Sequence, residues 1–302
     1  MAPKDQCGLS QFFFSGVDPN RFAYPQTRWP FLPGTFILYR ILLAGYQVAV
    51  FTLVLLFWGV PPYYSPVDDK AKWFIYSSNW AYLVTVLYTL WTALTTVYWH
   101  MRGENRNSPG FFYYAKEVTE QYSGQSIELS QPIERRSFTA PMPWYFKVTW
   151  FLQVIACSSQ LATTAFFWVL RSELEYYSIN FFTLNVHGVS LALVTFDFLV
   201  SANPCRILHS IYIGLFGLMY YLFTYMYHSL GGFNPSGGTY IYEDLLDWEI
   251  NPMFTALIGI IVVIVGCPPL HIIFFLLYLI KVAFAKCCVC CSFRIPGEGT
   301  MS

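Results

Sequence analysis

The feature that most constrains this chain is an apolar segment, residues 180–201, that contains a histidine and an aspartate. It is long enough to cross a bilayer, because about 20 helical residues span the hydrocarbon core. A charged side chain there costs roughly 2.5–3.5 kcal/mol even on a lenient insertion scale, so it rarely faces lipid. Side chains on one helix face recur at spacings of three and four. At these spacings, one face of the segment carries Asn180, Thr183, His187, Ser190, Val194, Asp197 and Ser201. This face must turn inward, so the segment predicts a helical membrane protein with a polar interior.

The composition supports the same class. Of the 302 residues, 56% are hydrophobic and only 11% are charged, whereas soluble domains carry about 25% charged residues. The formal net charge is zero, so we expect no nucleic-acid partner. We expect no cofactor and no metal site.

Six apolar segments predict an all-α, polytopic protein with about six transmembrane helices. The first begins after an N-terminal arm, residues 1–34, in which Phe22, Trp29 or Phe31 would touch the membrane interface. The predicted membrane domain is 35–285, followed by a Cys-rich tail, 286–302. The predicted spans are 35–60, 72–99, 144–170, 180–201, 206–230 and 253–285.

The last apolar segment is too long for one straight span, and Pro268 and Pro269 interrupt it. We expect one long helix that is kinked at the prolines. Two half-helices remain the alternative.

The distribution of Lys and Arg predicts the orientation. The arm, the long loop 100–143 and the tail carry most of these residues, and they lie on the same side of the membrane. By the positive-inside rule, both termini are predicted to be cytoplasmic. The acidic loop 231–251 then lies outside or in a lumen, and we expect it to be a solvated turn. The membrane would be the plasma membrane or the endoplasmic reticulum.

Two polar groups lie at matching depth near the predicted outer surface. His187 is about 12 Å into its helix and Ser78 about 9 Å into the second helix, at 1.5 Å per residue. A histidine can act as general base for a serine nucleophile, so Ser78 and His187 are candidate catalytic residues. The simpler alternative is that these side chains only form hydrogen bonds between helices. Residues that would support the site or its oxyanion are Asn79, Asn185 and Ser190.

Asp197 lies about 15 Å along the helix from His187 and so cannot orient it directly. We expect an ion pair with Arg206 or His209, and a proton or ion path is the alternative. We assign a packing role to His271.

Four cysteines follow Lys286 at the end of the last helix. Juxtamembrane cysteines are typical sites of reversible palmitoylation. Zinc would need a second pair of ligands, which is not nearby. The candidate lipidation sites are Cys287, Cys288, Cys290 and Cys291, and unmodified thiols are the alternative.

Five segments between residues 73 and 280 resemble the rolling stone family of animal membrane proteins. They are FIYSSNW at 74–80, WYFKVTWFLQVIA at 144–156, NVHGVSLALVTFDFLV at 185–200, NPCRILHSIYIGLFGLMY at 203–220 and GGTYIYEDLLDWEINP at 237–252. That family is distantly similar to the androgen-induced and androgen-dependent membrane hydrolases.

The hydrolase resemblance implies intramembrane cleavage of fatty-acid esters by a threonine and a histidine, with an acidic residue ten positions after the histidine. His187 and Asp197 match that spacing, and Ser78 stands where those enzymes have threonine. The implied partner is a membrane lipid or another acyl ester. Rolling stone is associated with myoblast fusion, which implies instead a membrane organiser with a protein partner at loop 231–251 or loop 100–143.

Overall fold

The structure is a computed structural model that describes residues 8–26, 34–62, 67, 69–102, 142–173, 179–242 and 245–292. The described part is helical apart from turns and two isolated β-bridges. It contains six helices that are long and apolar enough to cross a membrane, which confirms the predicted fold class. They are α1 (Thr35–Phe57), α2 (Ser77–Met101), α3 (Trp144–Glu173), α4 (Phe181–Val200), α5 (Ser210–Ser229) and α6, which is described piece by piece below.

The helices alternate in direction, so each end of the bundle contains the first residues of some helices and the last residues of the others. We call the end where α1 begins, α2 ends and α3 begins the inner end. The opposite end, where α2 and α4 begin, is the outer end. Helix α2 packs along both α1 and α3 at the centre of the bundle. Its threonines Thr85, Thr89 and Thr95 are buried, and each donates its hydroxyl to a backbone carbonyl of the preceding turn.

The last apolar segment forms one continuous helix, α6, which decides between the two alternatives above. It consists of Pro252–Ile261, a π-helical turn at Val262–Gly266 and a second piece, Cys267–Ser292. The wide turn directly precedes Pro268 and Pro269, which cannot donate backbone hydrogen bonds. The kink therefore coincides with the π turn and the two prolines, both of which are common causes of kinks in helices.

The N-terminal arm is part of the core. Phe22 is fully buried and stacks on Phe146 with ring centroids 5.3 Å apart, so its predicted place at the membrane interface is wrong. Arg206 donates from its guanidinium to the carbonyl oxygens of Phe13 and Ser15. Trp29 and Phe31 lie outside the described residues.

The outer loop after α5 is held by its own side chains. The Asn234 side-chain oxygen accepts from the backbone N–H groups of Ser236 and Gly238, each at 2.8 Å. Asp247 caps the next turn by accepting from Glu249 N at 3.0 Å. The Lys72 ammonium donates to the Asn234 carbonyl at 3.2 Å and ties this loop to the start of α2.

Candidate functional site

His187 lies on a π-helical turn of α4. The turn covers Asn185–Val189, between two ordinary helical pieces. Such turns are rare and occur often at functional sites. The imidazole stacks face to face on Phe167 of α3, with ring centroids 4.0 Å apart and an interplanar angle of 1°. Among the described residues, its Nδ1 atom is buried and has no hydrogen-bond partner.

The two serines at the start of α2 differ in their contacts. The Ser77 backbone N–H donates to the Tyr242 phenol oxygen at 3.0 Å, and the Ser77 hydroxyl lies 3.0 Å from the same oxygen. Within the described part of the chain, the Ser78 hydroxyl makes no hydrogen bond. Tyr242 comes from the outer loop, so this loop covers Ser77 and leaves the Ser78 hydroxyl unengaged.

A short chain of contacts joins Ser77 to His187 at the outer end. The Tyr242 ring, which holds Ser77, contacts Phe166 with centroids 5.8 Å apart. The next residue, Phe167, stacks on His187. The start of α2 is therefore linked through Tyr242 to the turn of α3 that the His187 ring contacts directly. No hydrogen bond joins Ser78 to His187 among the described residues.

The residues expected to support this site are buried nearby. Asn79 donates its side-chain amide to the Trp73 carbonyl at 2.6 Å. Asn185 donates to the Phe181 carbonyl at 2.8 Å and accepts from the Tyr46 phenol. The Ser190 hydroxyl is buried without a partner in the described residues. Each amide nitrogen still has a second hydrogen, which can be donated to an oxyanion.

Asp197 forms a buried ion pair with Arg40 of α1. The Arg40 Nη1 atom lies 2.8 Å from both carboxylate oxygens. The phenols of Tyr88 and Tyr39 donate to the carboxylate at 2.7 and 3.0 Å. The Arg40 Nη2 atom donates to the Ser201 hydroxyl at 2.7 Å. Because both carboxylate oxygens accept two donors each, the charge is compensated by its surroundings.

The partner of Asp197 was predicted wrongly. Arg206 binds the N-terminal arm instead, stacks on Trp150, and has its pKa lowered to about 10 by burial. His209 packs against Phe14 and Trp150. Sequence reasoning missed Arg40, although a single arginine in an apolar span indicates that its guanidinium has a partner inside the bundle.

A serine and a histidine, Ser158 and His271, form a hydrogen bond elsewhere in the bundle. His271 Nε2 lies 2.8 Å from the Arg206 carbonyl, which fixes that nitrogen as the donor when the imidazole is neutral. Nδ1 can then accept from the Ser158 hydroxyl at 3.4 Å. Both side chains are almost completely buried, in keeping with the packing role assigned to His271.

Lys281 of α6 stabilises the end of α4. Its ammonium donates to the carbonyl oxygens of Phe198, Ser201 and Asn203 at 2.7, 2.9 and 3.2 Å. These carbonyls lie at or beyond the helix C-terminus, where a cation also interacts favourably with the helix dipole.

Metal ligands and the lipidation sites are described only in part. In the described ranges, no three His, Cys, Asp or Glu side chains come together as a metal site. The side chains of Cys287, Cys288, Cys290 and Cys291 lie outside the described residues, as do residues 103–141 of the long loop.

The chain is similar to one family of known proteins. A family model described as "Protein rolling stone" matches residues 21–295. The "Protein rolling stone" of Drosophila melanogaster is 28% identical over 186 residues, which cover 60% of this chain. The match spans only 58% of that relative's length. No solved structure matches.

Proposed function

This chain belongs to the rolling stone family, and on that premise we propose that it is an intramembrane hydrolase of acyl-ester lipids. Ser78 is the proposed nucleophile and His187 the proposed general base.

One observation carries this proposal: the π turn of α4 presents an imidazole whose Nδ1 atom is buried and has no hydrogen-bond partner in the described ranges. An unpaired buried polar group costs about 1–3 kcal/mol. The ring nitrogens of His209 also have no partner in the described residues, so what distinguishes His187 is its position on a π turn and its stacking on Phe167. A catalytic base needs one nitrogen without a permanent partner. The contacts through Tyr242, Phe166 and Phe167 support a serine at the same level.

The reaction follows from these groups. The Ser78 oxygen attacks the ester carbonyl carbon while His187 takes the hydroxyl proton. The carbon–oxygen bond to the alcohol then breaks, and His187 gives its proton to the leaving alcohol. A water molecule then attacks the carbonyl carbon of the acyl-serine while His187 takes its proton. The bond between that carbon and the Ser78 oxygen breaks, His187 returns the proton to Ser78, and the carboxylic acid leaves. Asn79 or Asn185 donates a hydrogen bond to the oxyanion.

The location of the residues suggests the class of substrate. The site lies near the outer ends of apolar helices, so an ester bound there has its acyl chain in hydrocarbon and its polar group towards water.

The test is labelling with a fluorophosphonate, which reacts with activated serines. We expect the purified wild-type protein to be labelled, and Ser78→Ala to remove the labelling. His187→Ala should slow it about 100-fold or more, since general base catalysis contributes that much. Hydrolysis of a panel of lipid esters should change in parallel.

Two variants serve as matched controls. Ser77→Ala removes the neighbouring hydroxyl, and Ser158→Ala removes the hydroxyl that bonds to His271. Both should still be labelled. Absence of labelling in a folded wild-type protein would refute the hydrolase proposal. Loss of labelling in Ser158→Ala alone would show that the activated serine is Ser158 and not Ser78.

The second candidate is a non-enzymatic membrane organiser in cell fusion or adhesion. The ordered turns of the outer loop favour it, because Asn234 and Asp247 hold a defined surface. The partner would bind at 231–251, or at loop 100–143 on the other side. Replacing 231–251 with a Gly/Ser linker should then abolish cell–cell fusion or adhesion, while Ser78→Ala should have no effect. The opposite pattern would reject the organiser.

A further inference from the structure

The π turn of α4 takes a hydrogen-bond donor away from one backbone carbonyl. In an α-helix the Ser190 N–H would donate to the Val186 carbonyl, four residues earlier. Here it donates to the Asn185 carbonyl, five residues earlier. The Val186 carbonyl has thus lost its usual donor in the interior of the bundle, where a backbone acceptor needs a replacement. A side chain of another helix provides it.

That side chain is Gln160 of α3. It is completely buried, and its Nε2 atom donates to the Val186 carbonyl. Because a carbonyl can only accept, the amide nitrogen faces it and the amide oxygen points elsewhere. This oxygen lies 3.4 Å from the hydroxyl of Thr85 in α2, which is also 3.0 Å from the Ala81 carbonyl. One carboxamide therefore contacts both α2 and the π turn of α4.

Two other α3 side chains hold the same turn. The Trp168 indole N–H donates to the His187 carbonyl at 3.0 Å, and the Phe167 ring stacks on the His187 imidazole. Gln160, Phe167 and Trp168 are spaced as i, i+7 and i+8, which places them on one face of a helix. This face of α3 therefore holds two carbonyls of the π turn and the imidazole that the turn carries.

The contact with Thr85 relates the turn to the serine helix. Thr85 follows Ser78 by seven residues, so both lie on the same face of α2, about 10 Å apart along the axis. With Thr85 on one side and Val186 on the other, the Gln160 side chain sets the position of the π turn relative to α2. An amide is suited to this task because it donates with its nitrogen and accepts with its oxygen.

We propose that Gln160 is a positioning residue for His187. It stabilises the π turn through the Val186 carbonyl, and the turn directs the imidazole onto Phe167 and fixes its place relative to α2. Gln160 acts only through the backbone of α4. Its contribution to catalysis rests on the proposed hydrolase function, whereas its control of the imidazole orientation does not.

The first test is NMR of the full chain with isotope-labelled histidine. The variant is Gln160→Met, which keeps the length of the side chain and removes both hydrogen bonds. In the wild-type protein the Phe167 ring current should shift the imidazole proton signals of His187. His187→Ala identifies these signals among the five histidines, and Phe167→Leu gives their position without stacking. We expect Gln160→Met to move them to that position.

The second test is the rate of fluorophosphonate labelling. Gln160→Met should lower the maximal rate constant by up to about 100-fold, because a displacement of about 1 Å can have an effect of that size. The probe concentration that gives half of the maximal rate should not change, since binding of the probe is not affected. A variant that is only less stable would instead contain a smaller labelled fraction that reacts at the wild-type rate.

A milder variant covers the case in which Gln160→Met does not fold. Gln160→Asn keeps the amide but is one methylene shorter, so it cannot reach both Val186 and Thr85. Its imidazole signals should lie between those of the wild type and those of Phe167→Leu. Wild-type signals in this variant would overturn the proposal.

Gln153→Met is the matched control. Gln153 lies seven residues earlier on the same face of α3, is also buried, and accepts from the Asn203 amide at 2.7 Å. This variant should keep both the imidazole signals and the labelling rate. The proposal is overturned if Gln160→Met keeps the wild-type signals, or if Gln153→Met loses them equally. Loss of the shift in Gln160→Met without any labelling of the wild type would uphold the positioning of His187 and refute only the hydrolase.

Discussion

Charged side chains inside the bundle are stabilised by specific partners. Arg40 and Asp197 lie on different helices, and two phenols and a hydroxyl form further hydrogen bonds with them. Exchanging such a pair for apolar residues often costs little, whereas removing one member leaves an uncompensated charge. The pair therefore fixes which faces of α1 and α4 meet.

Arg40→Met should destabilise the protein by about 3–5 kcal/mol, because Asp197 then stays buried without its cation. The measurement is the unfolding midpoint in a thermal or SDS titration of the purified protein. The double variant Arg40→Met with Asp197→Leu should recover most of the loss. If the double variant is as unstable as the sum of the two single variants, the residues do not act as a pair.

Cys205 should resist alkylation in the folded protein. Its side chain is buried, and burial raises the pKa of this thiol to about 12. At pH 8 only about one thiol in ten thousand is then a thiolate, which is the reactive form. Iodoacetamide labelling followed by peptide mass spectrometry should show Cys205 modified only after unfolding in SDS. Equal labelling before and after unfolding would contradict the buried position.

At the scale of elements, the spans and their order could be predicted from hydropathy alone. The fold class follows because a polar backbone must be internally bonded in hydrocarbon, which leaves helices as the simplest solution. The π turns at 185–189 and 262–266 could not be predicted. Their sequences, NVHGV and VVIVG, contain weak helix formers, but this composition does not indicate a π turn. The inward stripe of α4 predicted that Asp197 is buried, but a periodicity on one helix does not show which other helix faces it.

The candidate site itself stays a prediction, and only the level of its residues along the bundle can be compared with the structure. Matching depth indicated that the start of α2 and His187 lie at one level, as the contacts through Phe166 and Phe167 support. The partner of Ser77 was not predictable. Tyr242 lies 165 residues further along the chain, on a loop whose turns depend on hydrogen bonds of Asn234 and Asp247.

Tyr242→Phe should loosen the outer loop from α2. It removes the oxygen that accepts from the Ser77 N–H and contacts the Ser77 hydroxyl. One net hydrogen bond is worth about 0.5–1.5 kcal/mol, so exchange of the Ser77 amide and of loop amides should accelerate roughly threefold to tenfold. Hydrogen–deuterium exchange with mass spectrometry measures this.

Tyr240→Phe is the control for this prediction, because it removes a phenol from the same loop. Within the described residues, Tyr240 makes no hydrogen bond, and its variant should exchange like the wild type. Unchanged exchange in Tyr242→Phe would show that the loop is held by its other contacts, such as Lys72 to Asn234.

For the whole molecule, the even number of spans puts both ends of the described bundle on one side. The Lys and Arg distribution predicts that this side is cytoplasmic. Epitope tags at both termini should therefore be protected from protease in intact cells and become sensitive after selective permeabilisation of the plasma membrane. A tag in loop 231–251 should show the opposite behaviour if the protein is at the cell surface. Protection of only one terminus would require a different number of spans.

The integration of the N-terminal arm into the core has a consequence for biogenesis. The arm's hydrogen bonds join residues as distant as Arg21 and Tyr278, which are 257 positions apart. Ribosomes add about 5–20 residues per second, so the arm waits on the order of ten seconds or more for its partners. Its aromatic side chains can be covered earlier, because Phe22 stacks on Phe146 and Phe14 contacts Trp150, both in α3. The arm is thus synthesised first, but its hydrogen bond to Tyr278 can form only after α6 has been made.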